Sequence, residues 1–128
     1  MGLKIKVKDD VFIHFTPRKN LDSILKFDGL QKNPPGIQKR GIDAITAVSL
    51  KWGKYVPEVQ TQGIKDRDIV AIIFKTLTKP KYGYVEEVVW GRDLKFNGKP
   101  KIVSFQQGIN LLKKANTLKD EDEMVEYY

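Results

Sequence analysis

Two features of the chain carry side chains suited to chemistry: its single histidine, and a pair of adjacent glutamates inside an apolar run. His14 stands in Val11-Phe12-Ile13-His14-Phe15-Thr16, a β-branched and aromatic stretch that predicts a strand with the imidazole near its end. An imidazole titrates near neutral pH, so it can move protons, ligate a metal or hydrogen-bond a substrate hydroxyl. A lone histidine is more often a packed or half-exposed bystander. Glu86 and Glu87 interrupt Tyr84-Val85-Glu86-Glu87-Val88-Val89-Trp90. Alternation along one strand sends the two carboxylates to opposite faces, so one meets the more buried side unless the strand ends or bulges there. Such a group can pair with one of the many lysines, or stabilise developing positive charge on the floor of a cleft.

Composition removes several classes of function. The chain has no cysteine, which excludes a disulfide framework and a zinc-thiolate site, and its one histidine excludes a His-rich metal site. Only a carboxylate site for a hard cation stays open, and no metal ligand set is assigned. No apolar run reaches the length of a membrane span, and Met1-Gly2-Leu3-Lys4-Ile5-Lys6 alternates where a signal peptide would be continuously apolar. The expectation is a soluble, cytoplasmic protein without a membrane partner. Net charge is +7, but residues 120–128 hold five acids and no base, which leaves +12 on residues 1–119. A field of that sign attracts polyanions, nucleic acid first among them, although lysine-rich surfaces also serve solubility alone.

The 128 residues fit one domain with a sizeable core. Leu3, Ile5 and Val7 alternate with lysines as in a half-buried strand, which Asp9-Asp10 breaks. After the His14 strand, Thr16-Pro17 can start a helix, with Asn20 as a later cap; Leu21, Ile24 and Leu25 form its apolar face and Asp28-Gly29 its stop. Residues 31–43 read as a Pro/Gly-rich basic loop. Ala44 to Leu50 reads as a strand, Ile69 to Leu77 as a central strand buried on both faces, and Tyr84 to Trp90 as one further strand. Asn97-Gly98 predicts a tight hairpin into a strand from Lys101 to Phe105, and Gln106 to Asn116 a final helix with Ile109 and Leu112 inward. The expected organisation is a single α+β domain over residues 1–119 and a frayed acidic tail over 120–128.

His14-Phe15-Thr16, followed by Asn20-Leu21-Asp22-Ser23-Ile24-Leu25 and Gly29-Leu30, resembles the opening of the His-containing NAD-dependent ADP-ribosyltransferases, most of all the DarT-type DNA ADP-ribosyltransferases. Ala47-Val48-Ser49-Leu50 resembles the family's middle strand, which lies beside bound NAD, and Glu87-Val88-Val89-Trp90 the strand that begins with the catalytic glutamate. The resemblance implies a compact core of twisted, split β-sheet with short helices. It also implies NAD as substrate and a nucleic-acid acceptor. By the same resemblance, the backbone of Phe15 binds the nicotinamide carboxamide, His14 a ribose hydroxyl, and the Thr16 hydroxyl the dinucleotide. Ser49 and Tyr55 flank the nicotinamide pocket, and Glu87 is the catalytic carboxylate. Lys32, Lys39 and Arg40 in the basic loop are candidates for phosphate or nucleic-acid contacts. His14 and Glu87 are then expected on adjacent strands, opening into one cleft; if their side chains point to opposite sides of the sheet, the transferase reading fails.

The chain departs from that pattern at Val85, where arginine-modifying relatives carry an acid or amide; for the paired arginines on which the related RNA 2′-phosphotransferases rely it has only Arg18, Arg40, Arg67 and Arg92, which leaves that activity a weaker alternative. Two other readings stand beside it. One is a non-catalytic basic nucleic-acid-binding domain that uses its lysines with Trp52, Tyr55 and Tyr82 as stacking groups. The other is a Mg²⁺-dependent nuclease built on Asp93-Leu94-Lys95, with Asp66, Asp68 or Glu86 as co-ligands.

Overall fold

A computed structural model describes residues 3–32, 44–53, 63–84, 87–115 and 124–128. The chain is an α+β protein; its described residues form a mostly antiparallel mixed sheet and two short helices. In chain order the strands are β1 (Leu3–Ile5), β2 (Phe12–Pro17), β3 (Gly29–Leu30), β4 (Ile45–Ser49), β5 (Ile69–Phe74), β6 (Tyr82–Tyr84), β7 (Val88–Trp90), β8 (Leu94–Lys95), β9 (Lys101–Ser104) and β10 (Met124–Tyr127). Helix α1 spans Leu21–Phe27 and α2 spans Phe105–Ala115. Eight strands run in the order β1-β10-β6-β7-β4-β2-β5-β9, while β3 and β8 form a separate pair. No helix among the described residues is long and apolar enough to cross a membrane.

Period-two alternation sorts the sheet into two cores. Phe12, Ala47, Ile72, Phe74, Val88 and Trp90 point to one face, where Leu21 and Ile24 of α1 pack against them. Ile13, Phe15, Val48, Ile69 and Ala71 point to the other, beneath Leu112 and Ile109 of α2. The first core is aromatic, with the Phe12 and Trp90 rings edge to face at 5.0 Å, a favoured arrangement for paired rings. Gly108 lets α2 lie close to the second core, since a Cβ there would meet the Ala71 Cβ at 2.8 Å and Phe15 Cε1 at 2.9 Å.

Several expectations are corrected here. Thr16-Pro17 belongs to β2, and a 3₁₀ turn (Arg18–Asn20) leads into α1. Asn20 does occupy the N-cap position, but its amide reaches back to Thr16 Oγ1 at 3.3 Å and caps nothing. Asp28 takes the left-handed conformation at the C-cap (φ 60°), and Gly29 is required by a close approach instead: its Cβ would fall 2.0 Å from the Leu94 carbonyl oxygen. Asn97-Gly98 turns the chain, with Gly98 at φ 88°, yet the strands it joins pair with other partners, β8 with β3 and β9 with β5. The run from Tyr84 to Trp90 is not one strand. β6 and β7 form a hairpin, closed by the Tyr84 N–H donating to the Glu87 carbonyl at 2.7 Å. β6 ends at Tyr84 and β7 begins at Val88, so Glu87 lies between strands and not within one.

The acidic terminus is not frayed where it is described. β10 inserts between β1 and β6, parallel to the first and antiparallel to the second, with Val125 and Tyr127 in the aromatic core. Alternation explains why four residues with a carboxylate among them can do this: Val125 and Tyr127 turn inward while Met124 and Glu126 turn outward.

Candidate functional site

The sheet forks at His14. Strand β2 pairs with β5 along its whole length, from Phe12 to Pro17, but with β4 only at Phe12–Ser49 and Ile13–Val48. The remaining residues of β4, Ile45 to Ala47, pair with β7 instead. Beyond Ile13 and Val48 the strands β2 and β4 therefore part. The His14 ring bridges the opening, its Nδ1–H donating to the Thr46 carbonyl at 2.6 Å. That bond fixes the tautomer: in the neutral ring, Nε2 is left as an acceptor.

Backbone direction adds a second group at the fork. The Val11 carbonyl accepts from Leu50 N–H on the β4 side at 2.8 Å. Backbone polar groups alternate sides along a strand, so those of Ile13 and Phe15 also point toward β4. Phe15 lies past the last β2–β4 pair, on the strand edge that faces β4. Its ring packs away from it, 5.6 Å from the Phe105 ring in the second core.

Glu87 lies on the far side of β4. Strand β4 separates β2 from β7, which corrects the expectation that His14 and Glu87 sit on adjacent strands; two strand spacings, about 10 Å, lie between β2 and β7. Glu87 is half-buried and precedes β7 in the hairpin connection. Extended by one residue, the alternation of β7 sets Glu87 on the face of Val89, whereas His14 is on the face of Phe12 and Ile72. The same register sets Glu87 opposite Val48, where β2 and β4 still pair, so His14 and Glu87 face opposite sides of the sheet and only a turn of the backbone at Glu87 would bring them into one site.

Burial holds the His14 imidazole below its ordinary pKa, and the Thr46 carbonyl opposes that shift without cancelling it. The sign of the linkage follows. Between the unfolded value of 6.5 and the lowered native one, the unfolded chain carries a proton that the native ring lacks. Stability therefore rises with pH through that window and is lost as pH falls. Urea midpoints of the protein should drop on acidification below about pH 6.5, and a His14→Gln variant should lose the part of that slope due to this ring.

The other expected site residues divide. Thr16 is close to His14 in β2 but buried, its hydroxyl accepting from Asn20. Ser49 does not flank an open pocket, and this expectation is corrected: it is fully buried and its hydroxyl donates to Asp10 Oδ1 at 2.9 Å. Lys32 lies beside α1 and β3, its backbone N–H donating to Asp93 Oδ1 at 2.7 Å. Tyr55, Lys39 and Arg40 lie outside the described residues, as does Glu86. Trp52, considered as a stacking group, is a core residue at 3% exposure with its indole N–H bound to Asp10 Oδ2 at 3.1 Å. For the nuclease reading, Asp93 holds the Lys32 backbone and Lys95 Nζ donates to the Phe27 carbonyl over the Phe27 ring. Among the described residues no cluster of three or more acids and histidines could hold a metal ion.

Asp10 is the residue that sequence reasoning missed. Fully buried, its carboxylate gathers the Ser49 hydroxyl, the Trp52 indole, the Tyr127 phenol at 2.7 Å and the Val11 backbone N–H at 2.8 Å. Burial, and then the Asp10 charge, push the Tyr127 phenol far up, so it remains a donor. These bonds tie the turn before β2 to the end of β4 and to β10, and they set the strand on which His14 sits.

No protein-family model, curated protein or solved structure matches the chain.

Proposed function

We propose that the chain is an NAD-dependent ADP-ribosyltransferase that modifies a nucleic acid, with its site at the fork between β2 and β4. The observation that carries the reading is the fork itself, with the His14 ring and the Phe15 backbone at its mouth. The segments that carry the family resemblance are far apart in sequence and lie side by side as β2, β4 and β7. A split in the sheet also accords with the core that the resemblance implies.

The chemistry follows from these groups. By the resemblance, the Phe15 backbone is assigned to the nicotinamide carboxamide, which carries both a donor and an acceptor. A neutral imidazole with Nε2 as acceptor suits a ribose hydroxyl. When the bond between nicotinamide and the ribose anomeric carbon breaks, nicotinamide leaves with the electron pair and the sugar becomes oxocarbenium-like. Glu87 is the carboxylate assigned to stabilise that charge, while a nucleophile on the acceptor forms the new bond and gives up its proton. The basic body of the protein, +12 over residues 1–119, favours a polyanionic acceptor.

The test is to incubate the full chain with labelled NAD and, separately, single-stranded DNA, duplex DNA, RNA and a protein extract, with and without Mg²⁺. Label should pass to a nucleic acid without a need for Mg²⁺. Cleavage of the strand that depends on Mg²⁺ and ignores NAD would favour the nuclease; salt-sensitive binding with no turnover would favour the non-catalytic binding domain.

A further inference from the structure

At the opposite end of the sheet from the fork, a cavity of about 580 Å³ opens beside β1, β10 and β6. That volume is within the range of small-molecule sites, about 300–1,000 Å³. Alternation explains its lining. Val125 and Tyr127 turn into the aromatic core and Ile5 packs against it, so their neighbours Lys4, Met124 and Glu126 turn to the other face. Gly83 pairs with Val125 and faces Tyr127, which puts Tyr82 on the same outer face as Lys4 and Glu126. Lys79 and Lys81 complete the rim.

The charges and the ring together define a ligand. Lys4, Lys79 and Lys81 are exposed and, among the described lining residues, stand against one carboxylate, Glu126, so that lining is net positive. Tyr82 is half-buried and braced edge to face by Tyr84, with 5.4 Å between ring centroids, which holds its ring in place while leaving part of it to the cavity. Ammonium groups around a concave site take phosphate, and a braced aromatic ring beside them takes a planar base. Sulfate or phosphate alone would have no use for the ring, and an apolar ligand none for the lysines.

We infer that this cavity is a nucleotide-binding site separate from the fork, with phosphate on Lys4, Lys79 and Lys81 and the base stacked on Tyr82. The strands β6, β7 and β4 lie between β10 and β2, which places it roughly 19 Å from the His14 strand. Free nucleotide and a nucleotide unit of a single strand present the same chemistry. The site does not require the transferase reading, because binding here needs neither NAD nor turnover.

Fluorescence anisotropy with the full chain tests it, using a labelled 12-nucleotide oligothymidylate, labelled ATP, and tripolyphosphate as an unlabelled competitor that lacks a base. At least one of the two nucleotide probes should bind, and which one does identifies the source. Tyr82→Ala should weaken that binding about five- to a hundredfold, with Tyr82→Phe restoring it. Lys79→Ala with Lys81→Ala should weaken it too, and for the oligonucleotide should flatten the log–log salt dependence by about 1.4, or about 0.7 per phosphate contact. Glu126→Gln should tighten it. Binding of neither probe, binding indifferent to Tyr82→Ala, or displacement by tripolyphosphate as effective as by the nucleotide overturns the assignment.

Discussion

Replacing Asp10 with alanine should lower the stability of the protein by about 3–5 kcal/mol, because it strands a set of buried donors around a site that water does not reach. The carboxylate is fully buried and holds the Ser49 hydroxyl, the Trp52 indole and the Tyr127 phenol, whose residues lie 39, 42 and 117 positions away in the chain. Each lost charged hydrogen bond costs about 1.5–3 kcal/mol, and neighbours in one network do not add fully. In urea the midpoint should fall by about 2 M at unchanged slope. Asp10→Asn keeps the shape and one acceptor oxygen but turns an amide donor toward other donors, so it should fall between the two. Tyr127→Phe removes one donor of the set and should cost about 1 kcal/mol. An Asp10→Ala protein as stable as the parent would mean that the cluster does not hold β2, β4 and β10 together.

On the proposed transferase function, Glu87→Gln should lower the rate of ADP-ribosyl transfer by at least about a hundredfold while leaving the unfolding free energy within about 0.5 kcal/mol of the parent. The substitution keeps the side-chain length and removes the charge that opposes the oxocarbenium-like sugar. Glu87 is half-buried at a hairpin connection, so the fold asks little of its carboxylate. The pairing of the two readouts matters. A loss of turnover with a loss of stability would describe a damaged hairpin, whereas a loss of turnover alone describes a missing charge.

What the sequence could and could not reveal follows from the range of each interaction. β5 was legible because Ile69–Phe74 is apolar at every position, which only a strand covered on both faces requires. The β2 strand and α2 were legible from local period alone. The hairpin at Glu86-Glu87 was visible only as a choice, since adjacent carboxylates demand either burial or a break, and cross-strand pairing decides between them. The acidic terminus misled because net charge outweighed alternation in the reading of residues 120–128. Met124-Val125-Glu126-Tyr127 has the apolar period of an ordinary half-buried strand. Asp10 was read as the breaker of a strand, which fits its place after the 3₁₀ turn Val7–Asp9. Its partners come from three distant parts of the chain, and no local pattern announces such a convergence.

The placement of the candidate residues was only partly legible. His14 and Phe15 lie where β2 and β4 part, as the end of an apolar strand leads one to expect. Ser49 shares the β4 strand but serves the Asp10 cluster, because strand phase turns it inward opposite Phe12. Glu87 is one strand further from His14 than expected, across β4. Spacing in sequence carries motif order; it does not carry the strand order of the sheet.

Nicotinamide release from NAD by the full chain, measured with and without a single-stranded oligonucleotide, bears most directly on the central claim. The account predicts release that the oligonucleotide stimulates and that Glu87→Gln abolishes in a protein that remains folded. A folded parent protein that releases no nicotinamide with DNA, RNA or protein acceptors, or a Glu87→Gln variant that releases it as fast as the parent, would contradict it.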